Sequence, residues 1–182
     1  MDIEKLLKDK KVLLEGHFLL NSGLHSKYYF QKFRVLENPD ATSKLCKIIA
    51  DKFRDKDVAW VIGPTTGGII IAYEIARQLD TLSGFAEERG GKRVVSRGFD
   101  ITNKKVLIVD DVMTTGKSVQ ETINAVQEKN ATIVGVAVLI DRCSATLPFE
   151  YFAPYKKVVK NFQPEECPLC KEGIPLEKLG GL

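Results

Sequence analysis

The residues best suited to chemistry lie in "VLIVDDVMTTGKS", residues 106–118, where two acids precede a turn rich in hydroxyl groups. The segment ends in Gly-Lys-Ser like a Walker A phosphate loop, which needs a glycine five residues before its Gly-Lys pair. Asp111 holds that position, and Asp110 adds a second carboxylate. Because carboxylates repel phosphate, this pattern excludes a P-loop nucleotidase.

The two halves of this segment suit different parts of one ligand. Residues 114–118 offer hydroxyls, a flexible glycine and amide donors at a predicted helix start, which suit a monophosphate. Asp110 and Asp111 can accept hydrogen bonds from sugar hydroxyls or act on a Mg²⁺ ion that bridges a diphosphate. Together they indicate ribose 5-phosphate. One acid could be structural, but adjacent strand residues face opposite ways, so we do not expect both to be idle.

A second loop, "GPTTGG" at residues 63–68, also precedes a predicted helix. Its glycine amides and the positive end of the helix dipole suit an anion such as pyrophosphate. A tight turn whose glycines only satisfy the backbone geometry is the alternative.

Strands and helices alternate around these loops. The hydrophobic periodicity predicts strands at 58–63, 105–111 and 131–142, and helices at 2–15, 38–57, 69–79 and 117–130. Residues 17–32 are typical of short strands around a turn. The tail after about residue 155 is typical of a surface wrap or a small hood. Strands that alternate with helices favour a parallel α/β sheet, with ligands beyond the carboxyl ends of its strands.

Size and composition are those of one ordinary globular domain. The 182 residues are 44% hydrophobic and carry a net charge of +3, too small to indicate nucleic acid. No stretch approaches the roughly 18 apolar residues of a membrane helix. The charged N-terminus lacks the apolar region of a signal peptide. We therefore expect a cytoplasmic protein with neither a membrane nor a nucleic-acid partner.

The cysteines are expected to be reduced thiols, and two of them form a CxxC pair, Cys167 and Cys170. A structural zinc usually needs four ligands, and no second pair or histidine lies nearby in sequence. A thioredoxin-like role would require the motif to open a helix after a strand. A packed tail is favoured here, and whether the two cysteines bind metal or pair stays open.

Several of these segments resemble one family. "VLIVDDVMTTGKS" is similar to the phosphoribosyl pyrophosphate (PRPP) motif of type I phosphoribosyltransferases. "FLLNSGLHSKYYFQ" at 18–31 resembles the N-terminal signature of the orotate phosphoribosyltransferases, and "VLIDR" at 138–142 their motif for the orotate carboxylate. Residues 84–99 stand where that family has its flexible catalytic loop. The resemblance covers about residues 15–145, in the family's order.

The resemblance implies a fold and an activity. The fold is the type I phosphoribosyltransferase fold, α/β with a central, mostly parallel sheet flanked by helices, in a single domain over 1–182. Hood elements would cover about 1–35 and 155–182, around a PRPP-binding core of about 36–154. The reaction would be orotate and PRPP giving orotidine 5′-monophosphate and pyrophosphate, with Mg²⁺ as cofactor. A homodimer with shared active sites would carry it out.

The resemblance also assigns residues. The PRPP-binding residues would be Thr65, Thr66, Gly67, Asp110, Asp111, Val112, Met113, Thr114, Thr115, Gly116, Lys117 and Ser118. The orotate-binding residues would be Thr114, Arg142, Tyr29, Phe30 and His25. The catalytic residues would be Lys92, Arg89, Arg93, Asp110 and Asp111. Mg²⁺ would be held mainly by PRPP, with Asp110 or Asp111 nearby.

The catalytic loop departs from the commoner pattern, because it lacks the histidine that follows the loop lysine. Among its cations Lys92 and Arg89 rank first and Arg93 next. Without the resemblance, this segment is typical of a solvated charged hairpin. The N-terminal aromatics would then be typical of core residues. His25 and Lys27 could reach pyrophosphate or base, or have a local role.

Two other functions share the motif. One is a phosphoribosyltransferase for a purine base, which the N-terminal signature and Arg142 disfavour. The other is a PRPP-sensing regulator, which would be expected to add a basic face or a nucleic-acid-binding domain.

Overall fold

The protein, described from a computed structural model, is defined over residues 1–20 and 22–179. Within these residues the strands are β1 (Leu13–Leu19), β2 (His25–Phe30), β3 (Trp60–Pro64), β4 (Leu82–Arg89), β5 (Lys92–Val95), β6 (Lys105–Met113), β7 (Thr132–Asp141), β8 (Tyr155–Lys156) and β9 (Asn161–Phe162). The helices are α1 (Ile3–Asp9), α2 (Phe33–Leu36), α3 (Pro39–Phe53), α4 (Gly67–Leu79), α5 (Lys117–Gln127) and α6 (Pro168–Lys171).

The larger sheet has the strand order β5-β4-β3-β6-β7-β8, with β5 antiparallel to β4 and the other pairs parallel. Its faces are covered by different helices. Along β6, Leu107 and Val109 join one apolar cluster with α3 and α4, while Val106 and Ile108 join a second with α5. This alternation on a strand buried on both faces is the reason for its continuous apolar sequence. The predicted α/β fold is confirmed.

Two parallel strands deliver the candidate loops to the same edge of this sheet. Strand β3 ends at Pro64 and leads into α4, and β6 ends at Met113 and leads into α5. The neighbouring strand β7 ends there too, at Asp141. Parallel neighbours must have their carboxyl ends at one edge, so the loops predicted from the sequence come together.

A smaller antiparallel sheet, β1-β2-β9, joins the two ends of the chain. Strand β1 pairs with β2 from Leu13 opposite Phe30 to Leu19 opposite His25. Helix α1 is tied to the larger sheet through Glu4, which accepts a hydrogen bond from the Tyr155 hydroxyl at 2.7 Å. Strand β8, near the start of the predicted C-terminal hood, belongs to the larger sheet instead.

The predicted first helix over 2–15 is too long. Helix α1 ends at Asp9, Lys11 adopts a positive φ of 54°, and the chain continues as β1. The residues from Leu13 onward gain more by pairing with β2 than by continuing a helix, because tertiary pairing overrides local periodicity. Asn21 of the N-terminal signature and residues 180–182 of the predicted hood lie outside the described residues.

The segment predicted as a catalytic loop is a hairpin that extends the sheet. Strands β4 and β5 pair from Ala86 opposite Val95 to Arg89 opposite Lys92, around a Gly90-Gly91 turn. Strand β4 also pairs with β3 along its first half, which the sequence analysis missed. Its inward positions are small, Gly84 and Ala86, so no apolar run marks the strand.

Among the described residues, no helix is both long and apolar enough to cross a membrane.

Candidate active site

The two carboxylates at the end of β6 are both buried. Asp110 Oδ2 accepts a hydrogen bond from Ser118 Oγ at 2.8 Å, and its Oδ1 accepts one from the Asp111 backbone N–H at 2.8 Å. Asp111 Oδ1 accepts one from the Val112 N–H at 2.6 Å. Local donors therefore hold both side chains in fixed positions at the loop.

This arrangement makes ionisation of Asp110 costly. Burial, and then the neighbouring Asp111 carboxylate, raise the pKa of Asp110 to about 7, although hydrogen bonds from Ser118 and the Asp111 amide act in the other direction. These donors offset the cost of burying the charge only in part, whereas a buried charge is normally fully compensated. A strongly perturbed carboxyl group at a strand end is typical of a functional site.

Asp111 is left with an incompletely satisfied oxygen. Among the described residues no group donates a hydrogen bond to its buried Oδ2. The ammonium group of Lys32 lies 3.4 Å from that oxygen. A β-carbon at Gly67 would lie 2.0 Å from the same atom, so only glycine leaves room for the carboxylate there. Sequence reasoning missed Lys32, although it follows directly the predicted aromatic signature.

The loop after β6 is open to solvent where a phosphate would bind. Thr114 and Thr115 are exposed, and Gly116 adopts a φ of +75° immediately before α5. This positive φ favours glycine, and a β-carbon at Gly116 would also displace the end of the Leu147 side chain. Lys117 is 81% exposed and 3.8 Å from Glu121. Lys117 is therefore an exposed residue in the first turn of α5, and its side chain does not form a triphosphate clamp.

Two residues assigned to PRPP are less available. Met113 is 1% exposed, and its carbonyl accepts the Arg142 backbone N–H at 2.9 Å. Val112 is half-buried, and its N–H is committed to Asp111. The strand geometry therefore gives these two residues a structural position between the acids and the phosphate loop.

The loop between β3 and α4 is tightly folded. A β-carbon at Gly63 would lie 2.1 Å from the carbonyl oxygen of Gly68, and the Thr65–Thr66 peptide is cis. Thr66 is exposed and precedes α4 without a side-chain cap, so the amides at this helix start are not capped by its hydroxyl. Free amides at a helix N-terminus suit an anion.

Arg142 stands just beyond the end of β7. Its guanidinium carbon is 4.4 Å from the ring centroid of Phe30, and among the described residues no acceptor faces its buried Nε. Burial lowers the pKa of this guanidinium from its usual range. Asp141, which accepts hydrogen bonds from the Cys143 N–H and the Tyr151 hydroxyl, fixes the turn that carries Arg142.

The two predicted aromatics have different surroundings. Phe30 is buried beneath Arg142, whereas the half-buried Tyr29 packs on Phe18 with ring centroids 5.7 Å apart. The structure thus brings Phe30 and Arg142 together, next to the backbone of Met113.

The surroundings of His25 do not support its predicted contact with orotate. Its Nδ1 lies 3.0 Å from His17 Nε2 and 3.3 Å from Cys170 Sγ, and the residue is 5% exposed. Lys27 forms an exposed ion pair with Glu15 at 3.1 Å. Both residues therefore have local partners in the structure.

The hairpin cations also have partners. Arg93 is 3.0 Å from the Ala86 carbonyl and 3.5 Å from Thr65 Oγ1, which brings it to the β3–α4 loop. Lys92 pairs with Glu128 at 2.7 Å, and Arg89 with Glu87 at 3.0 Å, both on the exposed surface. Within one subunit these contacts favour Arg93 over the two residues ranked first from the sequence.

Comparisons with known proteins agree with this geometry. The family model of the phosphoribosyl transferase domain matches residues 34–164. An orotate phosphoribosyltransferase of Carboxydothermus hydrogenoformans is 46% identical over 185 residues, covering 99% of this chain and 97% of its own. One of Caldicellulosiruptor bescii is 44% identical over 181 residues, covering 97% and 94%. The crystal structure of the Aeropyrum pernix orotate phosphoribosyltransferase is similar with a TM-score of 0.67, at 25% identity over 97% of this chain and 91% of that one.

The buried position of Asp110 has a measurable pH signature. Its folded pKa lies above the ordinary value of 3.8, so the folded state binds more protons, and stability falls as pH rises from about 4 through about 7. In Asp110→Asn this loss is absent. We expect the variant to melt about 3 °C or more above the wild type at pH 8, and close to it at pH 4, where the loss has barely begun. An equal difference at both pH values in thermal unfolding would contradict the buried-charge interpretation.

Proposed function

The chain belongs to the orotate phosphoribosyltransferases, a branch of the phosphoribosyltransferase family, and from this we propose that it makes orotidine 5′-monophosphate from orotate and PRPP in pyrimidine biosynthesis. The bond from ribose C1 to pyrophosphate breaks, a bond from C1 to a ring nitrogen of orotate forms, and the proton of that nitrogen is released to solvent. The four free cysteines suit a reducing cytoplasm, where we place the reaction.

The observation that carries the choice of base is Arg142. Its buried Nε has no acceptor among the described residues, and the guanidinium lies on the face of Phe30. A guanidinium N–H that is buried without an acceptor is costly, and a planar carboxylate is the partner that the guanidinium fork fits. Orotate has such a carboxylate, whereas adenine, hypoxanthine and uracil have none. A purine-base enzyme would have no use for this guanidinium.

The two loops at the sheet edge would hold the ends of PRPP. Residues 114–118 are proposed to bind the 5-phosphate, and the uncapped start of α4 the pyrophosphate. Asp110 and Asp111, fixed between these loops, would accept hydrogen bonds from the ribose hydroxyls. When ionised, the pair would also stabilise the positive charge that develops on the ribose as pyrophosphate leaves. Positioning and electrostatics then supply most of the catalysis.

The donor set also fits Mg²⁺ bound together with PRPP. Asp111 Oδ2 is a carboxylate oxygen without a hydrogen-bond donor among the described residues, and hard cations prefer oxygen ligands. We propose that Asp111, and less directly Asp110, would face the ion, with Lys32 balancing the charge of Asp111 at 3.4 Å. When bound, the ion neutralises negative charge on the pyrophosphate.

The β4–β5 hairpin would contribute cations to the departing pyrophosphate. Arg93 contacts the β3–α4 loop of its own subunit, which supports a role there. Lys92 and Arg89 are exposed on the hairpin end, and in a neighbouring subunit's site each would exchange its present carboxylate partner for the pyrophosphate. The absence of a histidine from this segment leaves these cations to support the leaving group.

The reaction can be tested by offering one preparation several bases. With PRPP and Mg²⁺, we expect consumption of orotate with release of pyrophosphate, and turnover of adenine, hypoxanthine and uracil at least about 100-fold slower in kcat/KM. Turnover of a purine without orotate would identify a purine-base enzyme. Tight PRPP binding without turnover of any base would instead indicate the PRPP-sensing regulator.

We further propose a homodimer built on the face of α4. This face exposes the apolar side chains of Ile70 and Tyr73 at 44% and 65%, and Phe33 of the contacting helix α2 is 59% exposed. Between α3 and α4 it contains an apolar groove of about 330 Å³. Since α4 begins at the pyrophosphate loop, a second copy seated here would lie beside the active site. That position supports the shared sites that the resemblance implies.

The dimer face predicts a selective effect of charge. Tyr73→Lys combined with Ile70→Lys should convert the protein to a monomer in sedimentation velocity, because two buried ammonium groups would oppose association. Leu82→Lys is the matched control, since Leu82 is 58% exposed at the start of β4, the opposite end from the active site. Dimers that persist in the double variant would rule out this face.

A further inference from the structure

The ends of the chain meet in a cluster of histidines and cysteines that the proposed reaction does not use. His17 lies in β1 and His25 opens β2, while Cys167 and Cys170 flank and enter the short helix α6. Their four potential ligand atoms all lie within 4.8 Å of one another. The CxxC pair therefore has in space the second pair of ligands that it lacks in sequence.

Four of the six ligand–ligand distances inside the cluster are close to those of a tetrahedral site. His17 Nε2 is 3.0 Å from His25 Nδ1, 3.5 Å from Cys167 Sγ and 3.7 Å from Cys170 Sγ. Cys170 Sγ is 3.3 Å from His25 Nδ1. With zinc–nitrogen and zinc–sulfur bonds of about 2.0 and 2.3 Å, tetrahedral ligand atoms are separated by roughly 3.3–3.8 Å. The observed set needs only small adjustments to surround one ion.

The orientation of His17 is already that of a metal ligand. Its Nδ1 lies 2.8 Å from the carbonyl oxygen of Ile174. Because a carbonyl can only accept, Nδ1 carries the proton and Nε2 presents its lone pair to the cluster. A histidine ligand whose other nitrogen donates to a backbone carbonyl is the usual arrangement around protein-bound zinc.

We propose that His17, His25, Cys167 and Cys170 form a structural zinc site. Two thiolates balance the charge of Zn²⁺, so the complex is neutral and can occupy a place where three of the four residues are buried. Four protein ligands leave no open position, which is typical of a structural site and not of a catalytic one.

The site would fasten the C-terminal tail onto the N-terminal hairpin. The tail already runs beside β1, where the Glu177 N–H donates to the His17 carbonyl and the Leu19 N–H donates to the Glu177 carbonyl. Strand β9 adds only two residues to the smaller sheet. A metal that joins β1, β2 and the tail would supply stability that so short a strand cannot. It would also hold the start of β2, whose far end contains Phe30.

Metal analysis of the intact protein tests the proposal. The full chain, purified under reducing conditions without a histidine tag, is expected to contain about one zinc per chain. Replacement of zinc by Co²⁺ should produce the visible absorption of a tetrahedral, thiolate-ligated ion. Removing the metal with a chelator should lower the melting temperature by about 5 °C or more, and adding Zn²⁺ back should restore it.

Variants separate this site from adventitious binding. Cys167→Ser with Cys170→Ser should lower the zinc content to less than about 0.1 per chain. Cys46→Ala is the control, because Cys46 is a buried cysteine of α3 outside the cluster, and it should retain the zinc of the wild type. The readout is metal content and not turnover, so it stands even if the proposed reaction fails.

Three results would overturn the proposal. The first is a reduced wild-type protein that neither contains nor takes up Zn²⁺ or Co²⁺ at micromolar concentration. The second is a disulfide between Cys167 and Cys170 in the freshly purified chain. The third is zinc that the double cysteine variant retains in full.

Discussion

The burial of two adjacent carboxylates at the end of β6 is the constraint on which the rest of the site depends. Asp110 and Asp111 lie where the sheet excludes water, and burial together with mutual repulsion raises the pKa of Asp110 to about 7. Folding has to tolerate this cost, because a hydrophobic pair would pack there more favourably. The surrounding groups are arranged to reduce it: Ser118 and backbone amides donate to the acids, and Lys32 lies beside Asp111.

The same constraint shapes the neighbouring loops. Gly67 has to lack a side chain, since any β-carbon would occupy the position of the Asp111 carboxylate. Strand β7 pairs with β6 up to Met113, and the chain then turns so that Arg142 donates its N–H to the Met113 carbonyl. An acidic pair and a cationic group are thus set side by side. Strand β2 of the smaller sheet completes this arrangement by placing Phe30 under the guanidinium.

Much of this could be predicted from the sequence, because the decisive groups are local. The acids, the Thr-Gly turn and the start of the helix after them lie within 13 consecutive residues, and the strand alternation fixes their common edge. The start of β1 was predicted as helix, because its pairing with β2 is a long-range contact that periodicity does not record. Metal binding by Cys167 and Cys170 was left open for the same reason, because the two histidines beside them are not near in sequence. The histidines and cysteines of the cluster are about 150 positions apart in the chain, and the smaller sheet β1-β2-β9 brings them together.

Steady-state kinetics of Arg142→Gln, with orotate and PRPP varied separately, test the central claim most directly. Removing the charge should raise KM for orotate by about 10–100-fold, as expected for a lost charge-assisted hydrogen bond, and leave KM for PRPP within about twofold. Circular dichroism should show that the variant remains folded. An equal increase in both KM values, or none in that for orotate, would contradict the assignment of Arg142 to the carboxylate of the base.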